Sequence, residues 1–181
     1  MRPTKNTNIR EVEHRVTSQE NKSLAKLFIH LWVDDWSAMD VNQALKDAYA
    51  QEIQTVSHYV GDSTALGDSA GARLRPVFQQ NIEDELKHAG QVGDRLEQLG
   101  QQPPSAAEFD PQESAHSPQD HADLESVLEH VLVNEENEIE AYETLLEAAR
   151  EADDTVTEHL ATEILSEEES HRANFRTHSE Q

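Results

Sequence analysis

One spacing occurs twice in this chain. Glu52 is followed 33 residues later by Glu85, and His88 stands three beyond it; Glu135 is followed 33 residues later by Glu168, and His171 stands three beyond that. Two of the three tyrosines keep the same register, Tyr59 seven past Glu52 and Tyr142 seven past Glu135. Offsets of three and seven place side chains on one face of an α-helix. The repeat therefore predicts two equivalent helical hairpins that carry six metal-ligating side chains between them. Facing each other, they would hold two metal ions.

The flanking residues repeat as well. Val56 and Ile139 lie four past the first Glu of each hairpin, Ile82 and Leu165 three before the second, and Val92 and Phe175 seven after it. Apolar residues on the turns above and below predict that the acids point into the core. Burying four carboxylates without compensation costs several kcal/mol each. Two divalent cations bring the sum to zero, and this is the physical argument for metal. A third Glu-x-x-His, Glu113/His116, sits among prolines and serines and is read as accidental. His58, beside Tyr59, is read as a packed polar residue.

Helical periodicity and punctuation give the element order. Residues 1–40 are read as a separate segment, a polar arm followed by a short amphipathic helix over about 20–34 with Leu24, Leu27, Phe28, Leu31 and Trp32 on one side. Trp32 and Trp36 are read as packing aromatics, with a docking segment as the alternative. Residues 41–181 are read as a four-helix bundle. Asp40 caps a helix over about 41–66 whose apolar side is Ala44, Ala48, Ile53, Val56 and Val60, and residues 67–71 form a turn. The second helix runs to Leu99 with Gly100 as its stop, and Pro76 lies in its first turns or kinks it. Residues 101–117, with Pro103, Pro104 and Pro111, form a loop. About 16 extended residues reach about 50 Å, the height of a long helix, so the loop can cross the full bundle. Ser117-Pro118 opens the third helix, which ends near Glu151; a capping box at Thr155–Glu158 opens the fourth, over about 156–176. The expected class is all-α, with no strand.

The chain has 37 acidic residues against 14 basic ones, only five of them Lys, and a net charge of -23. The acids spread along the whole length, which reads as a solvated acidic surface of the halophilic kind. Salt screens its self-repulsion, the Debye length falling to about 3 Å at 1 M. Without a basic stripe, nucleic acid is excluded as a partner. There is no Cys, which excludes disulfides, thiolate metal sites and a Cys nucleophile. No run approaches 18 apolar residues and the N-terminus has no apolar core, so no membrane span or signal peptide is expected, and the expected location is cytoplasmic.

A Glu from each of two helices and a Glu-x-x-His from each of two others is the di-iron bundle arrangement. Over about residues 41–176 the chain resembles the ferritin-like superfamily, bacterioferritin most closely. The segments that carry the resemblance are Glu52-Ile-Gln-Thr-Val-Ser-His-Tyr59, Glu85-Leu-Lys-His88, Glu135-Glu-Asn-Glu-Ile-Glu-Ala-Tyr142 and Glu168-Glu-Ser-His171. It implies that Glu85 and Glu168 bridge two irons, that Glu52 and His88 complete one, and that Glu135 and His171 complete the other. Tyr59 and Tyr142 would orient carboxylates. Iron comes from the resemblance; carboxylates with imidazole also suit Mn and Zn. The implied activity is ferroxidase: Fe(II) and dioxygen or hydrogen peroxide as substrates, iron storage or detoxification as the outcome, and a homo-oligomer as the state. Leu86 stands where haem-binding members carry Met, so haem is not expected. The fifth short helix of 24-subunit cages is missing, and the leading 40 residues are additional. The rival readings are rubrerythrin-like peroxide reduction without storage and a metal-free helical interaction protein.

Overall fold

The computed structural model describes residues 40–66, 68–105, 108 and 123–179, the side chains of 68–71 aside. Residues 1–39, with the expected N-terminal helix, Trp32 and Trp36, lie outside the described residues, as do Glu113, His116, Ser117 and Pro118. Four helices make up the rest: α1 Val41–Ala65, α2 Asp68–Gln98, α3 Leu124–Glu151 and α4 Thr155–Ser179. Among the described residues there is no strand. The architecture is the expected four-helix bundle. α1 packs on α2 and on α3, α3 packs on α4, and α2 meets α4 more briefly.

Local chemistry sets the helix ends, and several differ from the expected ones. Asp40 caps α1 as expected, accepting from the Asn42 N–H at 3.0 Å. Residues 68–71 are helical, so the expected five-residue turn shrinks to residues 66–67. Pro76 consequently falls within α2, beyond its first turns. The buried Leu74 and Phe78 on either side of Pro76 hold that stretch helical against its local preference. Gly100 ends α2 in the left-handed region at φ 73°. The Gln101 N–H reaches the Leu96 carbonyl at 2.9 Å and the Gly100 N–H the Glu97 carbonyl at 2.9 Å, a Schellman stop. α3 ends the same way, but its left-handed residue is Asp153, at φ 54°.

Two caps were misplaced by sequence. α3 begins at Leu124, with Asp123 accepting from the Ser126 N–H at 2.9 Å, and not at Pro118. α4 is capped by Asp154 and not by Thr155: its carboxylate accepts from the Thr157 N–H at 3.1 Å and the Thr157 hydroxyl at 2.6 Å. Arg95 of α2 reaches across to both Asp154 oxygens at 2.8 Å and to Thr157 Oγ1 at 2.8 Å. Tertiary contact therefore chose Asp154 over the local capping box.

Tyr59 lies against Glu135, and Glu52 against Tyr142. The numbers rise on α1 as they fall on α3, so these helices run antiparallel. α2 then runs parallel to α3, which requires the connection after α2 to cross the height of the bundle.

On each helix a polar belt interrupts two apolar clusters. One cluster holds Leu45, Ala48, Val92, Leu96, Leu145 and Ile164, and the other Leu74, Phe78, Val127, Val131 and Phe175. Val92, Phe175 and Ile139 of the repeated flanks are buried, while Val56, Ile82 and Leu165 are half-buried. Val60, expected on the apolar side of α1, is 48% exposed, because the seam of α1 passes through Tyr59 instead.

A buried carboxylate and histidine centre

The belt brings all six repeated residues to one place. Glu52, Glu85, His88, Glu135 and Glu168 are fully buried, and the His171 side chain keeps 13% exposure. His88 Nδ1 lies 2.8 Å from Glu168 Oε1, 3.2 Å from Glu85 Oε2 and 3.7 Å from Glu52 Oε1. His171 Nδ1 lies 3.2 Å from Glu85 Oε1 and 3.3 Å from Glu168 Oε2. Glu85 and Glu168 thus present one oxygen to each imidazole. The two rings stack with centroids 6.1 Å apart.

The ligating atoms fall into sets compact enough to hold an ion: Glu52, Glu85, His88 and Glu168 in one, and Glu85, Glu135 and His171 in another. Tyr142 donates to Glu52 Oε1 and Tyr59 to Glu135 Oε1. Burial holds both phenols well above their ordinary pKa, so each remains a donor. The second oxygens, Glu52 Oε2 and Glu135 Oε2, are buried and without a hydrogen-bond partner. Tyr59 packs edge-on to Phe78 at 5.5 Å and tilted on Phe175 at 5.6 Å, which fixes the phenol beneath the centre.

Two further acids stand behind the histidines. Glu167 Oε2 lies 3.0 Å from His88 Nε2 and is itself held by Lys87 at 3.0 Å. Asp84 Oδ2 lies 3.7 Å from His171 Nε2. Each directly precedes the central Glu of its Glu-x-x-His, so both share the repeat. Occupying Nε2 aims Nδ1 at the carboxylates, the outer-shell device that orients a metal-binding imidazole.

Glu138 lies outside the repeated pattern. It is fully buried, neither oxygen has a hydrogen-bond partner, and it forms a third compact set with Glu135 and Glu168. Its sequence signal is Glu135-x-x-Glu138, the same i, i+3 spacing as Glu85-x-x-His88. The position three past Glu52 is Thr55, also buried, so the halves are not equivalent here. One turn away, His130 Nδ1 pairs with Asp62 at 2.8 Å. His58 lies tilted on His130 at 5.0 Å, and burial, then the neighbouring His130, lowers its pKa. Leu86 is half exposed on α2.

Electrostatics expresses the same crowding. Burial, then the Glu168 and Glu85 charges, raises Glu52 well above the carboxylate range. Burial raises Glu138 in the same way, and Glu135 to about 8. Burial disfavours the imidazolium forms, but hydrogen bonds to Glu168 and Glu85 override it and raise His88 to about 11 and His171 to about 10. Protons therefore neutralise this cluster when no cation does. Five buried carboxylates, two imidazoles aimed inward and unpartnered oxygens among them form an oxygen-rich donor set that fits divalent cations.

No helix among the described residues is long and apolar enough to cross a membrane. The chain is 27% identical to the bacterioferritin of Desulfovibrio desulfuricans over 131 residues, 72% of this chain and 69% of that one. A ferritin-like di-iron-carboxylate protein of Bacillus anthracis superposes with a TM-score of 0.68 at 19% identity, over 77% of this chain and 94% of that one. A dodecameric thioferritin of Bacteroides fragilis related to bacterioferritin superposes with a TM-score of 0.66 at 23% identity, over 77% and 86%. The ferritin-like domain model matches residues 42–181, the span that holds the four helices and every residue of the buried cluster, and the chain belongs to the ferritin-like domain family.

Proposed function

We propose that this protein is a ferroxidase that binds two Fe(II) within a single chain and oxidises them with dioxygen or hydrogen peroxide, in the service of iron storage or detoxification. The carrying observation is the sealed belt of acids and histidines contributed wholly by one chain. Glu52 and His88 would hold one Fe(II), Glu135 and His171 the other, with Glu85 and Glu168 shared. Two adjacent Fe(II) supply an electron pair. Two Fe(II), O₂ and two protons give two Fe(III) and H₂O₂; with H₂O₂ as oxidant, two further protons give two waters.

The protein's own part is positional and electrostatic. Tyr142 and Tyr59 tie down one oxygen of Glu52 and Glu135 and leave Oε2 of each facing the cations. Glu167 and Asp84 turn the His88 and His171 rings so that Nδ1 meets the cation. Apolar clusters above and below exclude water and strengthen each charge interaction. We place the protein in the cytoplasm as a homo-oligomer, the dodecameric state described for the thioferritin being the precedent. Haem has no sulfur ligand at Leu86, and a chain of net charge -23 has no basic surface for nucleic acid.

Stopped-flow formation of Fe(III) tests the reading. Glu85→Ala and Glu168→Ala each remove a shared ligand and should abolish rapid oxidation. Glu113→Ala, in the accidental third motif, should leave the wild-type rate. Wild-type rates in Glu168→Ala would sink the assignment. Comparing dioxygen with hydrogen peroxide identifies the oxidant.

A further inference from the structure

The repeat makes the two halves alike at every ligand position but one. Three residues past Glu52 stands Thr55, and three past Glu135 stands Glu138. Both are fully buried in the belt, and the Thr55 hydroxyl and both Glu138 oxygens lack partners. Glu138 offers an oxygen close enough to those of Glu135 and Glu168 to share a cation with them. The corresponding side of Glu52 has only a neutral hydroxyl.

Charge counting gives this difference a chemical meaning. Four carboxylates balance two divalent cations. A fifth leaves one buried negative charge in excess, on the Glu135 side. One divalent and one trivalent cation balance five carboxylates. Carboxylate oxygens favour hard cations over soft ones, and the Glu135 side adds an oxygen where the Glu52 side adds none.

Building on the paired-metal reading above, we propose that Glu138 is a seventh metal-binding side chain that makes the two positions unequal. The position formed by Glu135, Glu138, Glu168 and His171 takes the harder, more highly charged cation, and the position formed by Glu52 and His88 takes a divalent one.

The test uses the full chain stripped of metal, titrated calorimetrically with Mn(II) and separately with Tb(III), a hard trivalent probe. Glu138→Gln keeps the size and removes the charge. Glu138→Thr copies Thr55 and makes the halves alike. Wild type should bind two Mn(II) per chain and should bind its first Tb(III) at least tenfold more tightly than its second. In both variants two Mn(II) should still bind, while the first Tb(III) step weakens at least tenfold and approaches the second. An unchanged Tb(III) profile in Glu138→Gln overturns the proposal. Should the variants melt before they can be titrated, crystals of wild type with one Tb(III) per chain decide. An anomalous peak bonded to Glu138 supports the proposal, and one beside Glu52 and His88 overturns it. Fewer than two Mn(II) in wild type fails the paired reading itself and is seen before any Tb(III) is added.

Discussion

Metal binding by this centre should release about three protons per chain at pH 7, and the number follows from the cluster. An imidazole must be neutral to donate to a cation. Hydrogen bonds to Glu168 and Glu85 outweigh burial and hold His88 up to about 11 and His171 up to about 10, so in the metal-free protein both are fully protonated at pH 7. Burial holds Glu135 at about 8, which leaves it about 0.9 protonated at the same pH. The sum is about three, before Glu52 and Glu138, which burial also raises, are counted. Apparent affinity should then fall about a thousandfold for each pH unit lost, about 4 kcal/mol. Calorimetric titration with Zn(II) in buffers of different ionisation enthalpy reads the proton count directly. Glu135→Gln should lower the count by about one. Release of fewer than one proton, or an affinity flat between pH 6 and 8, would refute the claim that protons neutralise this cluster before metal arrives.

Three further outcomes follow. The metal-free protein should melt at lower temperature as pH rises from about 5 to 9. Its raised carboxyls and imidazoles bind protons more tightly folded than unfolded, so their stabilisation is complete below the unfolded values of 4.5 and 6.5 and disappears as pH climbs through about 8 for Glu135 and about 10 for His171; a melting curve that rises over this range contradicts it. Arg95→Ala removes the half-buried bonds to Asp154 and Thr157 that tie α2 to the start of α4, and should cost about 1–2 kcal/mol in urea unfolding with an unchanged slope. Melting temperature should rise steeply from low to molar KCl, because -23 net charges repel in the compact state; a flat profile would leave the acidity without a salt-linked explanation.

The repeat alone was enough to determine the class of fold and to name the six residues that meet. Offsets of 33, three and seven fit only helices paired in hairpins, and a helix carries i, i+3 neighbours to the same face. Gly100 was legible as a stop because only a residue tolerant of positive φ closes a Schellman turn cheaply. Asp84 and Glu167 shared the repeat and could have been found there. What the sequence could not decide depends on neighbours distant in the chain. Asp154 became the α4 cap because Arg95, 59 residues away, grips its carboxylate. Pro76 stayed inside α2 because Leu74 and Phe78 are buried on either side of it. Glu138 broke the symmetry silently: in a chain with 24 glutamates, nothing local separates a solvated acid from a buried one. Only the packing of α1 against α3, which sets Tyr59 on Glu135 and Tyr142 on Glu52, closes that seam over Glu138 and turns an ordinary surface residue type into part of the centre.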